Sequence, residues 1–311
     1  MRRFTVPTVQ AGHAIGVDLG GTKILAGVVA RDGSVVRRHE RPTPQDSQEH
    51  VLAELEAAVA ELLDDSVKAV GFGAPSPIDQ ARGVVVRCVN MPLENAPLRD
   101  RMHERFGVPV GLDNDANAAA IGEWRAGAGR GEDDVVMLTL GTGVGGGVIS
   151  GGRPFRGWNG AGAELGHVVI VHEGRPCQGA CTGRGHLEAY VSGTAVTEAA
   201  REEFGPSADA HRLVRLANEG EAKAEELLAE VARYLGSGIG SFVNVFGPEA
   251  VILGGGFGVA AYDYLRGPAE EVTRREALEP MRSTVRFAKA ELGTAAGLIG
   301  AGFVGFEALA A

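Results

Sequence analysis

The sequence predicts an α/β protein built from two similar halves with a cleft between them. The first observation is a repeat: a strand–glycine turn–strand unit occupies residues 15–40 and another occupies 135–150, and a recurring supersecondary unit argues for a duplicated fold. The second is that β-branched apolar runs of strand length are interspersed with segments whose apolar residues recur every three or four positions. The third is glycine, 47 of 311 residues, set at turns and in short clusters without a collagen-like period. Such use fits backbone brought close to a ligand, often a phosphate.

The first unit reads Ile15-Gly-Val-Asp-Leu19, Gly20-Gly-Thr-Lys23, Ile24-Leu-Ala-Gly-Val-Val-Ala30, Arg31-Asp-Gly-Ser34 and Val35-Val-Arg-Arg-His-Glu40. Apolar runs broken by Gly-Gly and Asp-Gly predict three consecutive antiparallel strands. That order excludes a simple dinucleotide-binding opening, in which a helix follows the first glycines. After a polar link with Pro42 and Pro44, residues 47–63 carry Val51, Leu52, Leu55, Val59, Leu62 and Leu63 at helical spacing. A buried strand follows over 67–73, ending in the rigid loop Gly73-Ala-Pro-Ser-Pro77. A short helix is predicted over 98–106. A strand over 108–112 then delivers Asp113-Asn114-Asp115 at its end, a common position for a site in an α/β sheet. The second unit is Val135-Val-Met-Leu-Thr-Leu140, Gly141-Thr-Gly-Val-Gly-Gly146 and Gly147-Val-Ile-Ser150. The remainder reads as mainly helical, with helices over 192–204, 209–218, 221–242 and 260–276. One strand, 250–253, interrupts them and ends in Gly254-Gly255-Gly256.

Composition narrows the function classes. A hydrophobic content of 44% with 23% charged residues describes a globular protein with a sizeable core. A net charge of −10 argues against nucleic acid or an anionic membrane as the main partner, while leaving room for a local nucleotide site. Met1-Arg2-Arg3-Phe4-Thr5-Val6-Pro7 has no apolar run behind its arginines, so it does not read as a signal peptide, and no stretch is long enough to span a bilayer. The expected compartment is the cytoplasm. Of three cysteines, Cys88 reads as a small core residue. Cys177 and Cys181 lie close together, which in a reducing compartment favours metal over a disulfide.

Five motifs carry the chemistry. Asn114-Asp115-Ala116-Asn117 before an alanine run is, by itself, a helix start with good caps; with the rest of the chain, Asp115 reads as a base that deprotonates a sugar hydroxyl. A carboxylate at a helix N-terminus is expected to stay ionised. Asp18-Leu-Gly20-Gly21-Thr22-Lys23 is a tight turn whose bare N–H groups suit phosphate oxygens, with Asp18 placed to hold Mg²⁺; the plain alternative is a hairpin. Gly141-Thr142-Gly143 reads as a second phosphate hairpin, with Thr139 and Thr142 offering hydroxyls, because a strand and not a helix follows it. Gly254, Gly255 and Gly256 suit either a ribose or base against backbone, or a bland turn. Finally, His167, Cys177, Cys181 and His186 form a Cys₂His₂ set suited to tetrahedral zinc. Four protein ligands leave no open position, so the zinc is expected to be structural, clamping a loop that carries Glu164 and Glu188.

The ordered set of Gly16-Val-Asp-Leu-Gly-Gly-Thr-Lys23, Asn114-Asp-Ala-Asn117, Leu140-Gly-Thr-Gly-Val-Gly-Gly-Gly147, Glu164-Leu-Gly-His167, Cys177-Gln-Gly-Ala-Cys181, Gly185-His-Leu-Glu188, Leu253-Gly-Gly-Gly256 and Ala296-Gly-Leu-Ile-Gly-Ala301 resembles the glucokinase-like members of the ROK family (repressor, ORF, kinase). The resemblance runs from residue 15 to about residue 302. It implies an actin-like ATPase (ribonuclease H-like) fold of two α/β domains: a smaller one over 1–117 with the C-terminal helix 297–311, and a larger one over 118–296 with the zinc loop. It implies Asp115 as general base, sugar contacts from Asn90, Asn114, Asp115, Glu164, His167 and Glu188 with a contribution from the Gly73–Ser76 loop, phosphate contacts from Gly20 to Lys23 and Thr142-Gly143, and adenosine contacts near Gly254 to Gly256. ATP, Mg²⁺ and a structural Zn²⁺ are the implied cofactors, and a homodimer or homotetramer the implied assembly. One departure stands out: His186 occupies the place where the family usually has a third cysteine.

Glucose is the expected sugar. Another hexose or an N-acetylhexosamine as acceptor, polyphosphate as donor, and a non-catalytic sugar-sensing regulator are the competing readings. About a dozen residues before the first strand are too few for a three-helix DNA-binding module, which disfavours the regulator. A non-catalytic structural protein with an actin-like fold has no need of Glu164, His167 and Glu188 beside Asp115.

Overall fold

The computed structural model describes residues 12–310; the Met1–Pro7 segment lies outside them. The first half runs β1 (His13–Leu19), β2 (Lys23–Val29), β3 (Val35–Pro42), α1 (Gln48–Leu62), β4 (Val67–Ala74), β5 (Ile78–Asp79), β6 (Val84–Arg87), β7 (Glu94–Ala96), α2 (Leu98–Phe106) and β8 (Val110–Asn114). A helix, α3 (Asp115–Ala126), leads into β9 (Val135–Leu140), β10 (Val144–Ser150) and β11 (Arg153–Pro154). Then follow α4 (Glu188–Val191), α5 (Gly193–Phe204), α6 (Ala210–Asn218), α7 (Ala222–Phe246), β12 (Ala250–Gly254), α8 (Gly256–Ala260), α9 (Tyr262–Glu276), α10 (Met281–Thr284), β13 (Arg286–Lys289) and α11 (Ala296–Ala308). No helix among the described residues is long and apolar enough to cross a membrane.

The duplication is visible in the sheets. One has the order β3-β2-β1-β4-β8 and the other β11-β10-β9-β12-β13. In each, three antiparallel strands come first and two parallel strands are added beside the first. Each sheet covers its own core: Ile15, Val17, Phe72 and Leu112 pack with Leu55 of α1 in one, and Leu138, Leu140 and Leu253 pack with Leu235 and Ile239 of α7 in the other. The helix α11 returns to the first sheet and lies on β1, β4 and β8. Glycine permits this approach: a side chain at Gly16 would meet the Leu298 carbonyl, and one at Gly71 the Ala301 carbonyl.

The structure corrects the sequence reading in several places. The C-terminal half holds a second strand, β13, beside β12; with four residues and only Phe287 and Ala288 buried, its alternation is too short to read. The small sheet β5-β6-β7 is absent from the sequence reading for the same reason. The long helix α7 runs past 242 to Phe246, through Gly236, Gly238 and Gly240, and stops where Gly247 takes φ 56°. Those glycines lower helix propensity, but a side chain at Gly236 would strike Ala269 of α9, so close packing keeps the helix whole. The helix expected over 260–276 is α9, which starts at Tyr262, and a separate short helix, α8, precedes it over Gly256–Ala260; the strand expected over 108–112 continues to Asn114, pairing with Ala74.

Candidate active site

The site lies where β8 hands over to α3, at the edge of both sheets. Asn114 caps the helix: its Oδ1 accepts the N–H groups of Ala116 (2.9 Å) and Asn117 (3.2 Å). The capping role and the site role therefore coincide, and the same side chain also hydrogen-bonds the Asp115 carboxyl. Asp115 lines a cleft of about 670 Å³ together with Asn90, Asn114, Glu164, His167, Glu188, Thr142, Gly143 and Gly255. It also lines a smaller cavity of about 230 Å³ with Asp18, Thr139, Gly255 and Gly297. Asp115 thus belongs, with Ala116, Thr139 and Gly255, to the wall shared by the two spaces.

Not every expected residue arrives there. Gly20, Gly21, Thr22 and Lys23 lie outside the lining of both cavities. Their turn is closed by Gly20 N–H on the Lys23 carbonyl (2.9 Å) and braced by Thr43 and Gln45. Lys23 Nζ pairs with Glu40 (2.9 Å) on the exposed face. Gly254 faces Met137 and Ala290 in the core. Gly256 opens instead on a third cavity of about 530 Å³, with Gly141, Thr142, Thr194 and Phe257. Sequence reading also misses the groups that hold the second glycine turn: the Thr142 carbonyl accepts Gln178 Nε2 (2.9 Å) and Thr194 Oγ1 (2.8 Å). Gln178 sits inside the Cys177–Cys181 motif, the one signal that points to it.

The electrostatics differ from expectation at Asp115. Burial pushes its carboxyl above the usual range, outweighing the pull of the Ala116 N–H at the helix start and of Asn114. Glu164 is likewise raised, by burial first and by Asp115 and Glu188 next, with His167 opposing. Asp18 is pushed up to about 7 by burial and by Asp115, against the pull of Lys23. A buried carboxylate short of positive charge, beside a glycine turn, fits a divalent cation ligand. A stability prediction follows. Because the folded-state value lies above the unfolded one, Asp18 costs stability progressively as pH rises from about 4 to about 7. Asp18→Asn is therefore expected to unfold near wild-type temperature at about pH 4 and to be more stable by about 2–4 kcal/mol at about pH 8 without Mg²⁺. Thermal unfolding across that range checks it; a constant difference between the two proteins would show that Asp18 is not the source.

The Cys₂His₂ set assembles. The donor atoms of His167, Cys177, Cys181 and His186 all lie within 4.8 Å of one another. His167 Nδ1 is 3.3 Å from His186 Nδ1 and 3.8 Å from Cys177 Sγ, and Cys181 Sγ is 3.5 Å from His186 Nδ1. Edges of about 3.3–3.8 Å are what a tetrahedral zinc with ordinary Zn–N and Zn–S bonds requires, so the residues fit the ion. With Nδ1 turned to the cluster, His167 keeps Nε2 for the cleft. Glu188 joins the cluster to the glycine turn: its Oε2 accepts Val144 N–H (2.8 Å) and the Cys177 thiol lies 3.7 Å from its Oε1.

Comparisons with known proteins place the chain in a family. The ROK family model matches residues 14–304. A glucokinase of Thermotoga maritima is 37% identical over 304 residues, 92% of this chain and 95% of the relative. The crystal structure of a ROK hexokinase from Thermus thermophilus superposes with a TM-score of 0.83 at 36% identity, covering 96% of this chain and 99% of that one. A ROK family glucokinase from Streptomyces griseus, solved with glucose and AMPPNP, gives a TM-score of 0.80 at 35% identity over 95% and 100% of the two chains. The ordered motifs, the paired sheets and the family model that spans both lead to one assignment: the chain belongs to the ROK family.

Proposed function

We propose that this protein is a sugar kinase of the glucokinase type, moving the γ-phosphoryl group of ATP to the 6-hydroxyl of glucose with Asp115 as general base. The observation that carries the reading is the position of Asp115, on the wall between a cleft rich in hydrogen-bonding groups and a cavity that holds Asp18. Glu164, Glu188, Asn90, Asn114 and His167 Nε2 orient the sugar, since a ring hydroxyl both donates and accepts and meets acceptors and donors there. Asp115 accepts the 6-hydroxyl proton as that oxygen forms its bond to phosphorus and the bond to ADP breaks. A carboxyl raised above its usual range is a better base than a free one, provided the working pH lies above its value. The backbone of Thr142-Gly143 and the Gly20–Lys23 turn offer N–H groups toward phosphate oxygens once the halves close. Asp18 would hold Mg²⁺, which when bound neutralises charge on the phosphates. His167, Cys177, Cys181 and His186 would hold a structural zinc. The third cavity, opened by Gly256, is the place for the adenosine.

The wider reading keeps the division into 1–117 with 297–311 and 118–296, a cytoplasmic location, and a homodimer or homotetramer, which light scattering of the purified protein checks. The test of function is ADP release from Mg-ATP with a panel of glucose, mannose, fructose, allose and N-acetylmannosamine beside a no-sugar control. Glucose-dependent release well above the other sugars is expected. Release with a different sugar alone would rename the substrate, and none with any sugar would overturn the ATP-dependent kinase.

A further inference from the structure

The mechanism leaves the buried charge of Asp113 unused. Asp113 precedes the Asn114–Asp115 turn and is 0% exposed. Its Oδ1 accepts Asn114 N–H (2.9 Å) and Asn117 Nδ2 (3.1 Å), so it braces the turn that presents the base. Its Oδ2 accepts Arg156 Nε at 2.6 Å. Arg156 comes from the other half of the molecule, two residues beyond β11, and its Nη2 reaches Glu307 of α11 at 2.7 Å. One guanidinium thus joins β8, α11 and the loop 155–164. That loop ends at Glu164. It is folded back on itself by Gly162 N–H on the Arg156 carbonyl (2.9 Å). Just before Glu164, Ala163 is held at φ 65°, a conformation that non-glycine residues adopt only when their surroundings enforce it.

We infer that Arg156 is a positioning residue for the sugar side of the site, setting the loop that carries Glu164 in register with the Asn114–Asp115 turn through Asp113 and Glu307. A fork-shaped cation with donors on two edges suits this task, and a lysine point charge does not. The guanidinium bonds to Asp113 and Glu307 and not to the turns at 20–23 and 141–143, so the clamp acts on sugar binding and not on the nucleotide. The inference rests on the sugar-kinase reading, because it assigns Glu164 and Asp115 to one ligand.

Arg156→Lys keeps a charge for Asp113 but loses the bridge; Glu307→Ala removes the far anchor from a half-exposed position and leaves the buried pair intact. Each is expected to raise the KM for glucose by about tenfold while the KM for ATP stays within about twofold, since a small loss of register at a site weakens rate and binding far more than one missing hydrogen bond would. Calorimetric titration with glucose, in the absence of ATP, should show the same weakening. Arg156→Met, which strands Asp113 as an unpaired buried charge, is expected to unfold at a lower temperature, and serves to separate stability from positioning. If both milder variants bind glucose like the wild type, whatever their melting temperatures, the clamp is only structural and the inference fails while the kinase reading stands. If wild type itself neither binds nor phosphorylates any hexose, the kinase reading has failed and the clamp's role falls with it.

Discussion

Asp115→Asn is expected to lower kcat by about a thousandfold or more and to leave glucose affinity within about threefold. The substitution preserves size, and asparagine can still accept the Ala116 N–H that the carboxylate accepts at 2.9 Å, so the helix start survives. What it removes is the proton acceptor. Its pH dependence separates this from a packing effect. With the Asp115 carboxyl raised by burial, the wild-type rate at saturating substrates should begin to fall at a higher pH than an ordinary carboxylate would allow, because the protonated form is inactive. The variant's residual rate should lack that limb. A variant retaining activity within about tenfold of wild type would show that another group takes the proton.

Loss of the proposed zinc should act on both stability and substrate. Metal analysis of the purified protein is expected to find about one zinc per chain. Cys181→Ser is expected to lower the unfolding midpoint by about 10 °C and to weaken glucose binding by about tenfold or more. The coupling follows from geometry. Cys181 does not line the cleft, but His167 belongs to both the cluster and the cleft, and Glu188 lies beside Cys177 while gripping Val144. A loosened cluster therefore frees two sugar-side groups at once. Unchanged glucose affinity in a destabilised variant would show loop and pocket to be independent. A fully active protein without zinc would sink the metal assignment itself.

Much of this molecule is legible because its signals are local. Strand and turn at residues 13–42 need only β-branched runs and Gly-Gly or Asp-Gly breaks, and α2 is bounded at 98 and 106 because its breakers, Pro97 and Gly107, flank it. The Cys₂His₂ set falls between His167 and His186, so spacing alone can propose it. The elements that escape such reading are short or rely on distant support. Two-residue and four-residue strands such as β5 and β13 have too few positions to show a period, and the last turn of α7, from Val243 to Phe246, lies beyond the helix that the sequence predicts over 221–242.

The amino-acid sequence by itself determined the duplicated pattern, the chemistry available at each turn and the candidate for the base, because those depend on residue type and near-neighbour spacing. Tertiary structure decided which of those groups meet. It turned Lys23 outward to Glu40 and Gly254 into the core. It raised Asp115 and Asp18 by enclosing them between two sheets, where burial overrides the helix terminus. It also joined Arg156 to Asp113, 43 residues away, and to Glu307, 151 residues away. Burial and long-range pairing depend on how the whole chain packs, and no window of sequence contains them.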